Sequence, residues 1–324
     1  MTWQRRHVLA TDDWSRDEIE HVLRTTTAMV EVLGRPIRRT PALRGRTVIL
    51  FFAESSTRTR VSFELAAKAL SADVTNITAS GSSVEKGETL LDTVRTLTAL
   101  GGDVIVMRHA ASGAPYFVAE RTNAAVINAG DGWHAHPTQG LLDAYTLRAA
   151  LGDLTGKRVV IVGDITHSRV ARSDIETLVP LGASVTLCGP PTLVPSAWRC
   201  GMAPFGTAYE PDLDQALAGA DAVIALRLQK ERQQGGLLPS LREYARTWGL
   251  TDERVARMRP EAPVLHPGPM NEGIEIAASV AHGARSLIES QVTNGVAVRM
   301  ALLYLLAGTP ENREPATVDA SRPA

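Results

Sequence analysis

Cysteine is scarce in this sequence: Cys188 and Cys200 are the only two in 324 residues. That excludes a disulfide-stapled scaffold and fits a reducing, cytoplasmic setting. Excess charge is missing too. The 34 basic residues meet 35 acidic ones, for a formal net charge of −1. No electrostatic footprint for nucleic acid or an anionic membrane is visible. No apolar run reaches about 18 residues, so no membrane span is expected. Met1 to Ala10 lacks an apolar h-region, so no signal peptide is expected. Lysine is rare: only Lys68, Lys86, Lys157 and Lys230 occur among the 34 basic residues. A lysine kept inside a glycine-containing segment, as Lys86 is, therefore draws notice. What is present is ordinary: 44% hydrophobic and 21% charged residues. A chain this long can bury a sizeable core, and its length suggests about two domains.

The pattern alternates strand and helix. Ser15 to Leu33 reads as a helix stopped by Gly34 and Pro36. Thr47 to Phe52 is an unbroken apolar run, suited to a buried parallel strand. A helix follows over about Thr57 to Leu70. Asp103–Met107 and Ala124–Asn128 repeat the buried-strand pattern, and Leu141–Leu151 is helical. The alternation restarts with a strand over Lys157–Gly163 and a helix over Ser168–Leu181. Further strands fall at Ser184–Cys188, Ala222–Leu226 and Pro263–His266. The last helix, about Ser290 to Ala307, is apolar on most sides. This predicts an α/β protein with parallel sheets. The Gly152–Gly156 stretch is the natural boundary between the two units. Thr309 to Ala324, rich in Pro, Glu, Arg and Thr, is expected to be a disordered tail.

Seven polar segments sit at strand ends. Ser55-Ser56-Thr57-Arg58-Thr59-Arg60 places free N–H groups, hydroxyls and guanidinium at a helix start, either an anion site or a plain cap. Ala79 to Glu88 is a small-residue loop carrying Lys86, either functional or merely exposed. Arg108-His109 follows a strand, facing a ligand crevice or solvent. His134-Ala135-His136-Pro137-Thr138-Gln139 invites a metal. A neutral or protonated His136 donating to a carbonyl, with Gln139 as amide partner, is more economical. Val162 to Arg169 lacks the G-x-G-x-x-G glycines of a dinucleotide site, and Arg169 suits a carboxylate or phosphate clamp or a plain surface position. Arg227-Leu228-Gln229-Lys230-Glu231-Arg232 is a charged run, which is commonly a solvated face. His266-Pro267-Gly268-Pro269 is a rigid turn, structural or functional.

Together, S-T-R-T-R, K-G-E-T, M-R-H, H-P-T-Q, V-G-D-x-x-x-S-R, R-x-Q-K-E-R and H-P-x-P occur in the order and spacing of the transcarbamylases. Over about Trp14 to Leu306 the chain resembles that family, and within it the catalytic chains of the aspartate branch. The resemblance implies two doubly wound parallel-sheet domains joined by long helices. Residues 1–150 with 290–308 would bind carbamoyl phosphate and 151–289 L-aspartate. It also implies a homotrimer with shared active sites, no cofactor and no metal. The reaction implied is carbamoyl transfer to the amine of L-aspartate, an early step of pyrimidine biosynthesis.

By position, the resemblance assigns Ser56, Thr57, Arg58 and Thr59 to the phosphate. Thr59, Arg108 and His136 would polarise the carbamoyl oxygen, and Gln139 would take the carbamoyl amide. Ser82 and Lys86 would come from the adjacent chain to the phosphate, Lys86 also reaching the aspartate. Arg169, Arg227 and Gln229 would hold the aspartate carboxylates. Pro267, Gly268 and Pro269 would supply backbone contacts. Two departures stand out. Gly268 replaces a leucine of some members, and Glu272 stands where many carry arginine, placing an acid near the aspartate site or facing solvent. The alternatives are ornithine transcarbamylase, whose H-C-L-P and S-M-G patterns are absent here, a nicotinamide-dependent dehydrogenase, and a non-catalytic scaffold in a pyrimidine-enzyme assembly. The resemblance leaves open a higher assembly with regulatory chains or other pyrimidine enzymes.

Overall fold

Two parallel sheets organise the chain in a computed structural model that describes residues 3–78, 89–228 and 237–308. The first contains β1 (Thr47–Phe52), β2 (Asp73–Thr78), β3 (Val104–His109) and β4 (Ala125–Asp131), in the order β2-β1-β3-β4. The second contains β5 (Arg158–Val162), β6 (Ser184–Cys188), β7 (Ala208–Tyr209), β8 (Ala222–Ala225) and β9 (Val264–Leu265), in the order β7-β6-β5-β8-β9. The helices are α1 (Arg16–Leu33), α2 (Thr57–Ala69), α3 (Leu90–Ala99), α4 (Ala114–Ala119), α5 (Pro137–Leu151) and α6 (Arg169–Leu178). They continue with α7 (Leu213–Leu217), α8 (Leu241–Trp248), α9 (Asp252–Val255), α10 (Ala278–Ala281) and α11 (Ile288–Ala307). Within both sheets every strand pair is parallel. Strand order reverses between β1 and β3, and again between β5 and β8. The carboxyl ends at such reversals open a crevice where ligands bind.

The apolar runs are continuous because helices cover both faces of each sheet. Val48, Leu50 and Phe52 of β1 and Val159 and Ile161 of β5 point into one core shared by the two sheets. The alternate residues face separate outer cores, Ile49 and Phe51 in one and Val160 and Val162 in the other. Helices α5 and α6 cross that shared core in close contact. Gly140 makes the approach possible, since a Cβ there would lie 2.4 Å from the Ser173 carbonyl oxygen. The last helix packs on α1, α2 and α5.

Helix α5 begins at Pro137, four residues before the expected Leu141. His136 is its N-cap and Pro137 its first residue, a position where a missing N–H costs nothing. H-P-T-Q is therefore a helix start and not a loop. The D-V-T-N-I-T run of β2 gave no apolar signature because it is an edge strand with mostly exposed side chains. The tail from 309 onward lies outside the described residues.

Candidate active site

The crevice is a cleft of ≈ 540 Å³. Ser56, Thr57, Arg58, Thr59, Arg108, His136, Gln139, Arg169, Arg227, Pro267, Gly268 and Pro269 all line it. Ser82, Lys86 and Gln229 lie outside the described residues. The charged lining is lopsided: Arg58, Arg108, Arg169, Arg227 and Arg299 face one carboxylate, Glu54, among the described residues. At the end of β1, Ser56 caps α2 in extended conformation without a side-chain cap bond, and the first turn holds no acid. The leading N–H groups of α2 thus keep their capacity for an anion. Burial and the nearby Arg227 guanidinium lower the Arg58 pKa, a sign of like charges gathered around the same space.

His136 is buried in the cleft wall. Its backbone N–H donates to Ser173 Oγ at 2.9 Å, and its Nδ1 lies 3.5 Å from the Thr138 hydroxyl. Burial, reinforced by the Arg108, Arg169 and Arg299 guanidiniums, holds its pKa well below the usual histidine range. His136 is thus neutral at physiological pH, and the tautomer in which Nδ1 accepts from the Thr138 hydroxyl carries its proton on Nε2. Gln139, one turn into the α5 start, donates its Nε2–H to the Asp143 carboxylate at 3.1 and 3.2 Å. That leaves its carbonyl oxygen as the acceptor for the cleft. His134 turns elsewhere, its Nδ1 3.1 Å from Asp131 Oδ2. The two histidines do not converge, and among the described residues no group of three or more His, Cys, Asp or Glu side chains is placed to hold a metal ion.

Arg169 is the first residue of α6, after Ser168, whose hydroxyl accepts the Ala171 N–H. Its guanidinium crosses to the first-sheet wall, donating to Glu54 at 2.7 and 3.2 Å and to the Gly132 carbonyl at 3.2 Å. Glu54 also accepts from Arg108 at 2.6 Å. The His266 ring shapes the turn after β9: Nδ1 accepts the Gly268 N–H at 2.8 Å, and the His266 backbone N–H donates to Gln291 Oε1 at 2.9 Å. Gly268 has φ +62°, and a Cβ there would lie 2.8 Å from the Arg58 guanidinium carbon. The glycine lets the turn and the arginine touch. Glu272 lies outside the cleft lining, half exposed and 3.1 Å from His282 Nε2. Of its two expected settings, the solvent-facing one is observed.

Four polar lining residues, Glu54, Ser62, Gln291 and Arg299, were not singled out in the sequence. Glu54 precedes the S-S-T-R motif but carries no periodic signal. Gln291 and Arg299 sit in the apolar helix α11, and a polar residue in such a helix is the clue that was available. Arg299 is buried and donates to Ser62 Oγ at 2.7 Å. Burial pushes its pKa down to about 10, so it stays charged at neutral pH.

Two doubly wound sheets with an arginine-rich crevice at both strand-order reversals define an α/β enzyme for anionic substrates. Comparison with known proteins narrows this. Residues 6–149 match the aspartate/ornithine carbamoyltransferase carbamoyl-P binding domain, and residues 155–306 match the Asp/Orn binding domain of the same family. The chain belongs to the aspartate/ornithine carbamoyltransferase family. The aspartate carbamoyltransferase catalytic subunit of Chloroflexus aggregans is 63% identical over 310 residues, covering 95% of this chain and 100% of that protein. That of Roseiflexus sp. is 60% identical, covering 94% and 96%. The crystal structure of Trypanosoma cruzi aspartate transcarbamoylase in complex with carbamoyl phosphate and aspartate has a TM-score of 0.83 at 28% identity, covering 94% of this chain and 97% of that one. Ornithine carbamoyltransferase from Pyrococcus furiosus reaches the same TM-score at 26% identity, covering 95% and 99%. Among the described residues, no helix is long and apolar enough to cross a membrane.

Proposed function

We propose that this chain is an aspartate carbamoyltransferase: it moves the carbamoyl group of carbamoyl phosphate to the amine of L-aspartate, giving N-carbamoyl-L-aspartate and phosphate, an early step of pyrimidine biosynthesis. The observation that carries this reading is the cluster of five arginines around a neutral histidine donor in one cleft. Both substrates are anions, and one, carbamoyl phosphate, also has a carbonyl to polarise. The equal TM-scores mean that fold alone does not choose between aspartate and ornithine. Charge does: the Arg169 and Arg227 guanidiniums suit a dicarboxylate and repel a cationic side chain.

The amine nitrogen attacks the carbamoyl carbon, a C–N bond forms, and negative charge grows on the carbonyl oxygen. Thr59, Arg108 and the His136 Nε2–H stabilise that charge, each fixed donor contributing roughly 2.7–4 kcal/mol. Gln139 accepts from the carbamoyl amide with the oxygen that Asp143 leaves free. The C–O bond to phosphate then breaks. Ser56, Thr57, Arg58 and the α2 N–H groups hold the leaving phosphate, which takes the proton from the amine. Pro267 and Gly268 offer backbone carbonyls to amino groups at the reacting centre, with Pro269 closing the turn. Residues 1–150 with 290–308 form the carbamoyl phosphate unit and 151–289 the aspartate unit. The active form is a cytoplasmic homotrimer in which Ser82 and Lys86 serve the neighbour's site, and Gln229 joins Arg227. A carbamoylation assay offering aspartate and ornithine side by side decides the substrate. Aspartate turnover with essentially none for ornithine is expected, and robust ornithine turnover would overturn the reading.

A further inference from the structure

We infer that Asp143 and Asp174 form a buried carboxyl pair holding one proton, that Asp174 carries it, and that the pair is a positioning device for Gln139 and Gln291. The role given to Gln139 rests on the carbamoyl-transfer reading above; the shared proton does not.

The pair sits where α5 and α6 touch, Asp143 one turn beyond Gly140 and Asp174 next to Ser173. Both side chains have 0% exposure. Asp143 is an acceptor throughout: Gln291 Nε2 donates to Oδ1 at 2.6 Å, and Gln139 Nε2 reaches both oxygens. Asp174 meets the opposite situation, since neither of its oxygens receives a donor from the described residues. The charged groups facing it are Asp143 and, on its own helix, Glu176. Arg299 of α11 faces Asp143. An ionised Asp174 would be a buried anion with no donor beside a second anion, an arrangement proteins avoid by keeping a proton. Protonated, it becomes a donor to its neighbour. Burial first, then the Asp143 charge, pushes Asp174 well above the usual carboxylate range. Burial raises Asp143 only to about 6, because Gln291, Gln139 and Arg299 pull it down. Asp143 is therefore the partner that is ionised at neutral pH.

The consequence concerns amide orientation. The two ends of a glutamine amide have nearly the same shape, so the neighbour of one end decides what the other presents. An anionic Asp143 takes both Nε2 groups. Gln139 then offers its oxygen to the cleft, and Gln291 offers its oxygen to the His266 N–H. One buried anion thus orients an amide on the first-sheet wall and anchors the His-Pro-Gly-Pro turn of the second.

The test uses the full-length chain. The infrared difference between wild type and Asp174→Asn at neutral pH should show a protonated carboxylic acid band that the variant lacks, distinct from that of Glu176, whose pKa burial raises to about 7 and which both proteins keep. A wild-type spectrum with no such band would overturn the shared proton. A carboxyl with a raised folded pKa loses stability as pH climbs from the ordinary carboxylate range toward the folded value, and Asn removes that loss. The melting temperature of Asp174→Asn should therefore exceed wild type by a margin that grows from about pH 4 to about pH 8; a constant margin counts against the pair. In kinetics, the wild-type KM for carbamoyl phosphate should rise at alkaline pH, whereas Asp174→Asn keeps a donor and should keep the neutral-pH KM without that rise. Asp174→Ala should raise this KM about tenfold, with a smaller change in kcat. An alkaline limb identical in wild type and Asp174→Asn would refute the positioning role. Should the alanine variant not fold, the asparagine comparisons still decide. A wild-type chain that shows the band but transfers no carbamoyl group would sink the proposed reaction and leave the proton pair standing.

Discussion

On the first-sheet wall of the cleft, the polar groups emerge from the ends of long elements: Arg108 from β3, Thr57 to Thr59 from α2, and His136 and Gln139 from α5. On the second-sheet wall, Arg169 opens a helix, while Arg227 and the His-Pro-Gly-Pro turn stand on connections after short strands. Arg169 is also held by the opposite wall, through Glu54 and the Gly132 carbonyl. The first wall's groups stand on secondary structure, whereas on the second wall Arg169 is fixed by bonds to the opposite wall. Groups that must meet a transition state gain most from rigid supports, whereas an acceptor site can be completed by binding.

The sharpest break of this comparison asks whether the first wall is complete within one chain. In the proposed homotrimer, Arg58→Ala and Lys86→Gln should each be nearly inactive when pure. Unfolded together in equal amounts and refolded, they should recover about a quarter of wild-type activity, because a site then works when its host keeps Arg58 and its donor keeps Lys86. No recovery in proven hybrid trimers would return both residues to the same chain. Next in size is His136→Ala, with kcat falling roughly 10²–10³-fold while the fold persists. Because His136 is already neutral, wild-type kcat should show no protonation of this residue near pH 6.5; a kcat limb there that vanishes in the variant would contradict the neutral donor.

On the second wall, Arg227→Ala should raise the aspartate KM by roughly tenfold or more and leave carbamoyl phosphate binding nearly intact. Equal losses for both substrates, measured by isothermal titration of carbamoyl phosphate alone and by steady-state kinetics, would erase the division between the walls. The smallest effect belongs to Glu272→Arg. Since Glu272 pairs with His282 outside the cleft, its aspartate KM should match wild type even at low salt, where screening is weakest. A lowered KM would place that surface within reach of the substrate.

Much of this protein is legible in its sequence. Runs such as Thr47–Phe52 and Ala222–Leu226 identified buried parallel strands, because a strand covered on both faces must be apolar throughout. The motifs at strand ends named Ser56 to Thr59, Arg108, His136, Gln139, Arg169 and Arg227, and one cleft gathers them all. The edge strand β2 was not legible, because half-exposed strands need no apolar run. Tertiary structure alone decided what lies across from what. Glu54 meets Arg108 and also Arg169, which lies 115 residues further along the chain. Burial, reinforced by the three guanidiniums around it, makes the His136 ring neutral. Gln291 and Asp143 meet across 148 residues, and Asp174 reaches the same buried place from another helix. Periodicity reports which face of an element is buried, since that depends on local spacing. Protonation and amide orientation depend on neighbours brought together by packing, and no local pattern encodes them.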